Sequence, residues 1–183
     1  MTRRLFVGVA LDDASRTACA AAIEALRRSG FAARFEDVAK LHATLAFLGN
    51  VDAERFDDIV VAMNQTAASV PAFEIALDKT GAFPNERRPR VVFVGAREHS
   101  ATFRELCALL RGAYGQRGFA FKDDAVAHVT IARVKDPCRP LPSIEVVPTP
   151  LTVDALTLFE SIFDKENNTS RYVVSATARL RAP

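Results

Sequence analysis

An α+β fold with antiparallel sheets and helices on one face is predicted by three features of this sequence. Strand-like and helix-like segments are interleaved along 183 residues. Several neighbouring strands have no helix between them to carry a parallel crossover. One short strand pattern occurs twice, once in each half. No Pro/Gly/Ser-rich linker divides the chain, so residues 1–183 are read as one bilobal domain.

Taken in order, Leu5 to Leu11 reads as a strand with two different faces. Leu5, Val7, Val9 and Leu11 are bulky, whereas Phe6, Gly8 and Ala10 offer one aromatic and two small residues. Asp13 to Arg28 is an Ala-rich helix ending at Gly30. His42 to Leu48 is a strand closed by Gly49-Asn50, and Asp52 is placed to cap a helix from Ala53 to about Ser69. Phe73 to Leu77 and Val91 to Val94 read as strands, with a polar loop over residues 83–90 before the second. Ser100 to Tyr114 is helical, with Leu106, Leu109 and Leu110 on one face. His128 to Val134 is a strand stopped by Asp136-Pro137. Leu151 to Phe163 and Tyr172 to Leu180 are read as two arms of a hairpin joined by residues 164–168.

Composition narrows the function. A net charge of +2 leaves no broad field for gripping duplex DNA, so a nucleic acid would have to be held at one local site. Cys19, Cys107 and Cys138 are scattered and odd in number, with no CxxC pair, and read as small hydrophobes. No apolar stretch has the length of a membrane span, and the basic start lacks a signal-peptide core. A reduced, cytoplasmic protein, monomeric and without an obligatory protein partner or membrane, is the expectation.

The repeat carries the chemistry. His42-Ala43-Thr44-Leu45-Ala46 and His128-Val129-Thr130-Ile131-Ala132 share the pattern His, apolar, Thr, aliphatic, Ala. In a strand, residues i, i+2 and i+4 share a face. His, Thr and Ala are therefore expected to line one face twice, with Leu45 and Phe47, or Val129 and Ile131, turned into a core. One His-x-Thr is usually an exposed polar stripe. Two copies among only three histidines are the informative feature. Opening a cyclic phosphodiester needs one group to take a proton from water and another to give one to the departing oxygen. Histidine does either near neutral pH. The threonine hydroxyls suit the non-bridging oxygens.

With those motifs in view, the chain resembles the 2H phosphoesterase superfamily, and within it the RNA 2',3'-cyclic phosphodiesterases, also called 2'-5' RNA ligases. Arg4-Leu5-Phe6, the segment Leu41 to Gly49, Phe83-Pro84 with Arg88 to Gly95, His128 to Arg133, and Leu156 to Ser161 carry the resemblance. Two details differ from the family pattern: Ala127 precedes the second histidine in place of a proline, and valines and Phe93 stand where another aromatic is common. The resemblance implies two pseudo-symmetric antiparallel sheets with helices outside, a central groove, hydrolysis to a 2'-phosphomonoester, and no metal or cofactor. It also implies His42 as proton donor and His128 as acceptor, a direction the symmetrical sequence does not decide.

Other candidates are graded by position. Strict alternation puts Arg133 off the histidine face, and a bulge or twist would be needed to return it as a phosphate or base ligand; otherwise it is a surface arginine. Phe6 suits either a base packed against the backbone or a core position. Arg87, Arg88 and Arg90 form a basic loop that either tracks an RNA backbone or is solvated. His99 has no Thr partner and reads as exposed. A metal hydrolase would need a third ligand, and no HxH or HExxH cluster is present. A non-catalytic RNA-end-binding module and a phosphodiesterase for a small cyclic nucleotide remain alternatives. The ligand class is an RNA end with a 2',3'-cyclic phosphate, such as a tRNA fragment; whether ligation occurs is left open.

Overall fold

The computed structural model describes residues 1–98, 100–121, 125–136, 139–166 and 169–182. His99 and Cys138 lie outside them, as does part of the turn over residues 164–168.

Ten strands and three α-helices are formed among the described residues. The strands are β1 (Thr2–Ala10), β2 (Arg34–Phe35), β3 (His42–Asp52), β4 (Phe73–Leu77), β5 (Lys79–Phe83), β6 (Val91–Gly95), β7 (His128–Arg133), β8 (Thr149–Val153), β9 (Ala155–Asp164) and β10 (Thr169–Arg179). The helices are α1 (Asp13–Arg28), α2 (Phe56–Ser69) and α3 (Ala101–Gly115). The main sheet runs β10-β9-β1-β3-β7-β6-β5, with β2 on the end of β7, and a second small sheet pairs β4 with β8. Every paired strand is antiparallel.

The main sheet is two halves that meet at one residue pair, Ala43 of β3 opposite Val129 of β7. An antiparallel pair has a local twofold axis between its strands. The two half-sheets are therefore arranged about the point where the two motifs begin. Ala43, Leu45, Val129 and Ile131 are fully buried in the core, while His42, Thr44, His128 and Thr130 are half-buried on the opposite face. The buried face packs on the helices. Tyr114 of α3 is fully buried and donates its hydroxyl to the Ile59 carbonyl of α2 (3.3 Å).

Local chemistry explains the helix ends. Asp12 accepts from the Ser15 amide at 2.8 Å and caps α1. Ser100 does the same for α3 through the Phe103 amide at 3.1 Å. Asp52 makes no capping bond with its side chain, contrary to expectation: residues 53–55 form a 3-10 turn and α2 begins only at Phe56.

Two further expectations are corrected. The supposed arm Leu151 to Phe163 is two strands broken at Asp154, because its first part leaves the main sheet to pair with β4. The loop expected over residues 83–90 gives up Phe83 to a strand. Lys79 to Phe83 forms β5 and pairs with β6, although its Lys-Thr-Gly start carries no alternation of apolar residues.

Candidate active site

A groove of about 250 Å3 lies on the histidine face, lined among others by His42, Thr44, Thr130, Arg133 and Phe6. His128 stands beside it, on the face of β7 that also presents Thr130. In the register set by Ala43 and Val129, His42 falls across from Thr130 and Thr44 across from His128. Each lobe thus contributes one imidazole and one hydroxyl, and the two sets are interleaved.

Paired bulges shape the groove. Against Val7-Gly8 of β1, β3 supplies three residues, Thr44, Leu45 and Ala46. Against Val92-Phe93 of β6, β7 likewise supplies Thr130, Ile131 and Ala132. An extra residue reverses the alternation beyond it. This overturns one expectation and answers another. Ala46 and Ala132 do not line the groove but are fully buried. Phe47, expected in the core, is 49% exposed and lines the groove. Arg133 is returned to the histidine face, as a ligand role requires. Carbonyls at the bulges are satisfied from outside the sheet: Arg111 Nε donates to Leu45 O (2.9 Å), and the Glu36 amide to Ile131 O (2.9 Å).

Both imidazoles are held alike. His42 Nδ1 lies 2.7 Å from the Lys40 carbonyl, and His128 Nδ1 lies 2.8 Å from that of Val126. A carbonyl only accepts, so in each ring Nδ1 carries a proton and donates it to that bond. Behind each ring stand two stacked phenylalanines. Phe6 and Phe159 (5.0 Å apart) back His42, and Phe93 and Phe83 (4.7 Å apart) back His128. Phe6 is 3% exposed and 4.7 Å from the His42 ring, so it lies beneath the imidazole. Tyr172 meets His42 edge-on at 5.3 Å.

Close strand approach completes the support. A Cβ on Gly8 would sit 2.7 Å from the Ala43 carbonyl oxygen, and one on Gly95 would sit 2.8 Å from that of Ala127. These glycines close a second repeat, Phe6-Val7-Gly8 and Phe93-Val94-Gly95, which the sequence reading missed. Its copies are offset along the chain almost as the two His-x-Thr motifs are, and that shared offset was the available signal.

The electrostatics are mixed. Burial pushes the His42 pKa below the ordinary 6.5, and the charges of His128 and Arg133 push the same way. The bond to the Lys40 carbonyl and the Glu36 carboxylate oppose that shift. Arg4 and Lys40 also line the groove, and the Arg4 guanidinium lies over the Phe47 ring at 4.9 Å. Neither cation was singled out from sequence. Arg87, Arg88 and Arg90 do not line this groove. Cys19 and Cys107 are buried, and burial pushes the Cys19 thiol up to about 12.

Residues 14–162 match the family model described as the 2'-5' RNA ligase superfamily. The chain belongs to that superfamily. A relative from Thermotoga maritima, named RNA 2',3'-cyclic phosphodiesterase, is 30% identical over 72% of this chain and 70% of its own length. Among solved structures, one from Thermus thermophilus superposes with a TM-score of 0.83 at 27% identity, covering 98% of each chain. The apo structure of E. coli LigT does so with a TM-score of 0.75 at 25% identity, again over 98% of each. The bilobal 2H phosphoesterase architecture expected from sequence is therefore the one this superfamily member has.

Proposed function

We propose that this protein hydrolyses RNA ends carrying a 2',3'-cyclic phosphate to 2'-phosphomonoesters, with His42 and His128 as the proton-transfer pair. The observation that carries this is the arrangement of two equivalently held imidazoles about the Ala43–Val129 pair, with His42 lining a groove shared with two threonines and Arg133 and with His128 beside it. The relatives named RNA 2',3'-cyclic phosphodiesterase support the substrate class.

In the proposed step, His128 Nε2 takes a proton from water as its oxygen bonds to phosphorus. The bond from phosphorus to the 3'-oxygen breaks, and His42 Nε2 gives that oxygen a proton. Thr44 and Thr130 donate to the non-bridging oxygens as charge grows on them. Arg133 binds the phosphate. Phe6 serves as a positioning residue beneath His42. Ligation would be the same step with a 5'-hydroxyl in place of water. A short RNA ending in 2',3'-cyclic phosphate should be hydrolysed fully in excess EDTA, giving the 2'-phosphate. Loss of turnover in chelator, restored by zinc or manganese, would overturn the two-histidine reading in favour of metal-activated water.

The pH dependence follows from the sign of the His42 shift. A donor must be protonated, so activity falls as pH rises through the His42 pKa. Burial holds that value below 6.5 in the free protein. The profile of kcat/KM should be bell-shaped, with the His42 limb below 6.5. In the kcat profile the same limb should move up, because bound phosphate favours the imidazolium. A His42 limb above 6.5 in kcat/KM, identified by its loss in His42→Ala, would contradict this.

A further inference from the structure

Glu36 is the only acidic side chain lining the groove among the described residues, beside the cations Arg4, Lys40 and Arg133. A carboxylate in a phosphate site costs affinity for anions, so its presence needs a reason. Its placement is firm. The Glu36 amide donates to Ile131 O at the β7 bulge, and its Oε1 accepts from Arg133 Nε at 2.9 Å. The same residue thus holds both the backbone kink that turns Arg133 inward and the guanidinium itself. The chain is fixed on either side, by β2 and by the turn Val38–Lys40, where the Asp37 side chain accepts from the Ala39 amide (2.9 Å). The Glu36 side chain is largely covered, at 21% exposure.

We propose that Glu36 is a positioning residue for Arg133 that also sets the anion charge the groove accepts, admitting a monoanionic phosphodiester and disfavouring a dianionic phosphomonoester. This rests on the assignment of the groove as a phosphodiesterase site. A cyclic phosphate carries one negative charge, whereas its hydrolysis product carries nearly two at pH 7 because its second pKa is about 6. Arg133 shares its charge with Glu36, so the product meets a site with less positive field than three cations would give. Product is released and the next diester enters.

Calorimetric titration with two probes tests this without turnover: 3'-deoxyadenosine 2'-phosphate and its methyl ester, which differ by one charge and have no 3'-hydroxyl with which to cyclise. At pH 7.5 Glu36→Gln should tighten the monoester at least about fivefold more than the methyl ester, the scale of one neighbouring charge near a protein surface. At pH 5.5, where the monoester is mostly monoanionic, that difference should shrink below about twofold. Both ligands are compared at each pH, so titration of His42, His128 or Tyr172 acts on both. Glu36→Asp keeps the charge and should retain the discrimination of the native protein. If Glu36→Gln does not fold, Glu36→Ala is titrated with the same two probes and should show the same pH-dependent difference. Equal tightening of both ligands, or no pH-dependent preference, would overturn the role of Glu36 while leaving the groove assignment standing. Binding of neither probe would overturn both.

Discussion

Replacing His42 or His128 with alanine is expected to cut turnover of a 2',3'-cyclic phosphate end by at least about a hundredfold, the lower range for losing a general acid or base. The two losses should be similar, since each ring is fixed by a carbonyl two residues upstream and backed by a stacked phenylalanine pair. Thr44→Ala and Thr130→Ala should cost less, because each removes one neutral donor to the phosphate oxygens. Circular dichroism and a denaturant midpoint on each variant would show that the fold is kept. A histidine variant that is folded and nearly fully active would remove that residue from the chemistry.

Gly8→Ala should have the second largest effect, on both stability and rate. The new Cβ would meet the Ala43 carbonyl oxygen at 2.7 Å and His42 Cδ2 at 3.6 Å. Backbone is on the other side of the clash, so β1 and β3 must separate at the residue that follows His42. We expect a loss of about 1–3 kcal/mol, the usual cost of overpacking. The accompanying fall in kcat should be at least about tenfold, as for a small misplacement of a catalytic group. Gly112→Ala in α3 is the control. Nothing lies within 4 Å of its Cβ, so alanine there should be neutral or stabilising. Unchanged midpoint and rate in Gly8→Ala would mean that this close approach does not position His42.

What could be read from the sequence, and what could not, divides along a physical line. Strict alternation placed His42, Thr44, His128 and Thr130 on one face, because all four precede the bulges at Leu45 and Ile131. It failed directly afterwards, at Ala46, Phe47 and Ala132, because a bulge is set by pairing with a neighbouring strand and leaves no mark in local periodicity. Arg133 needed that same bulge. The phenylalanine pairs behind the histidines come from β1, β5, β6 and β9, which only the sheet order brings together. Phe83 looks like loop in the sequence for the same reason. Its strand has too few apolar residues to show, and it exists because β6 offers an edge. Glu36, Lys40 and Tyr172 lie on segments with no motif of their own and reach the groove by tertiary contact alone.

That His42 and His128 serve one phosphate as a single acid-base unit is tested most directly by a double-mutant comparison. The rate of cyclic phosphate hydrolysis would be measured for His42→Ala, His128→Ala and the variant carrying both, at one pH and with saturating substrate. Groups that act as a unit give losses that do not add. The double variant should therefore be little slower than the poorer single one, within about threefold. A double variant whose loss is the product of the two single losses would show the histidines contributing independently, and would contradict the paired mechanism.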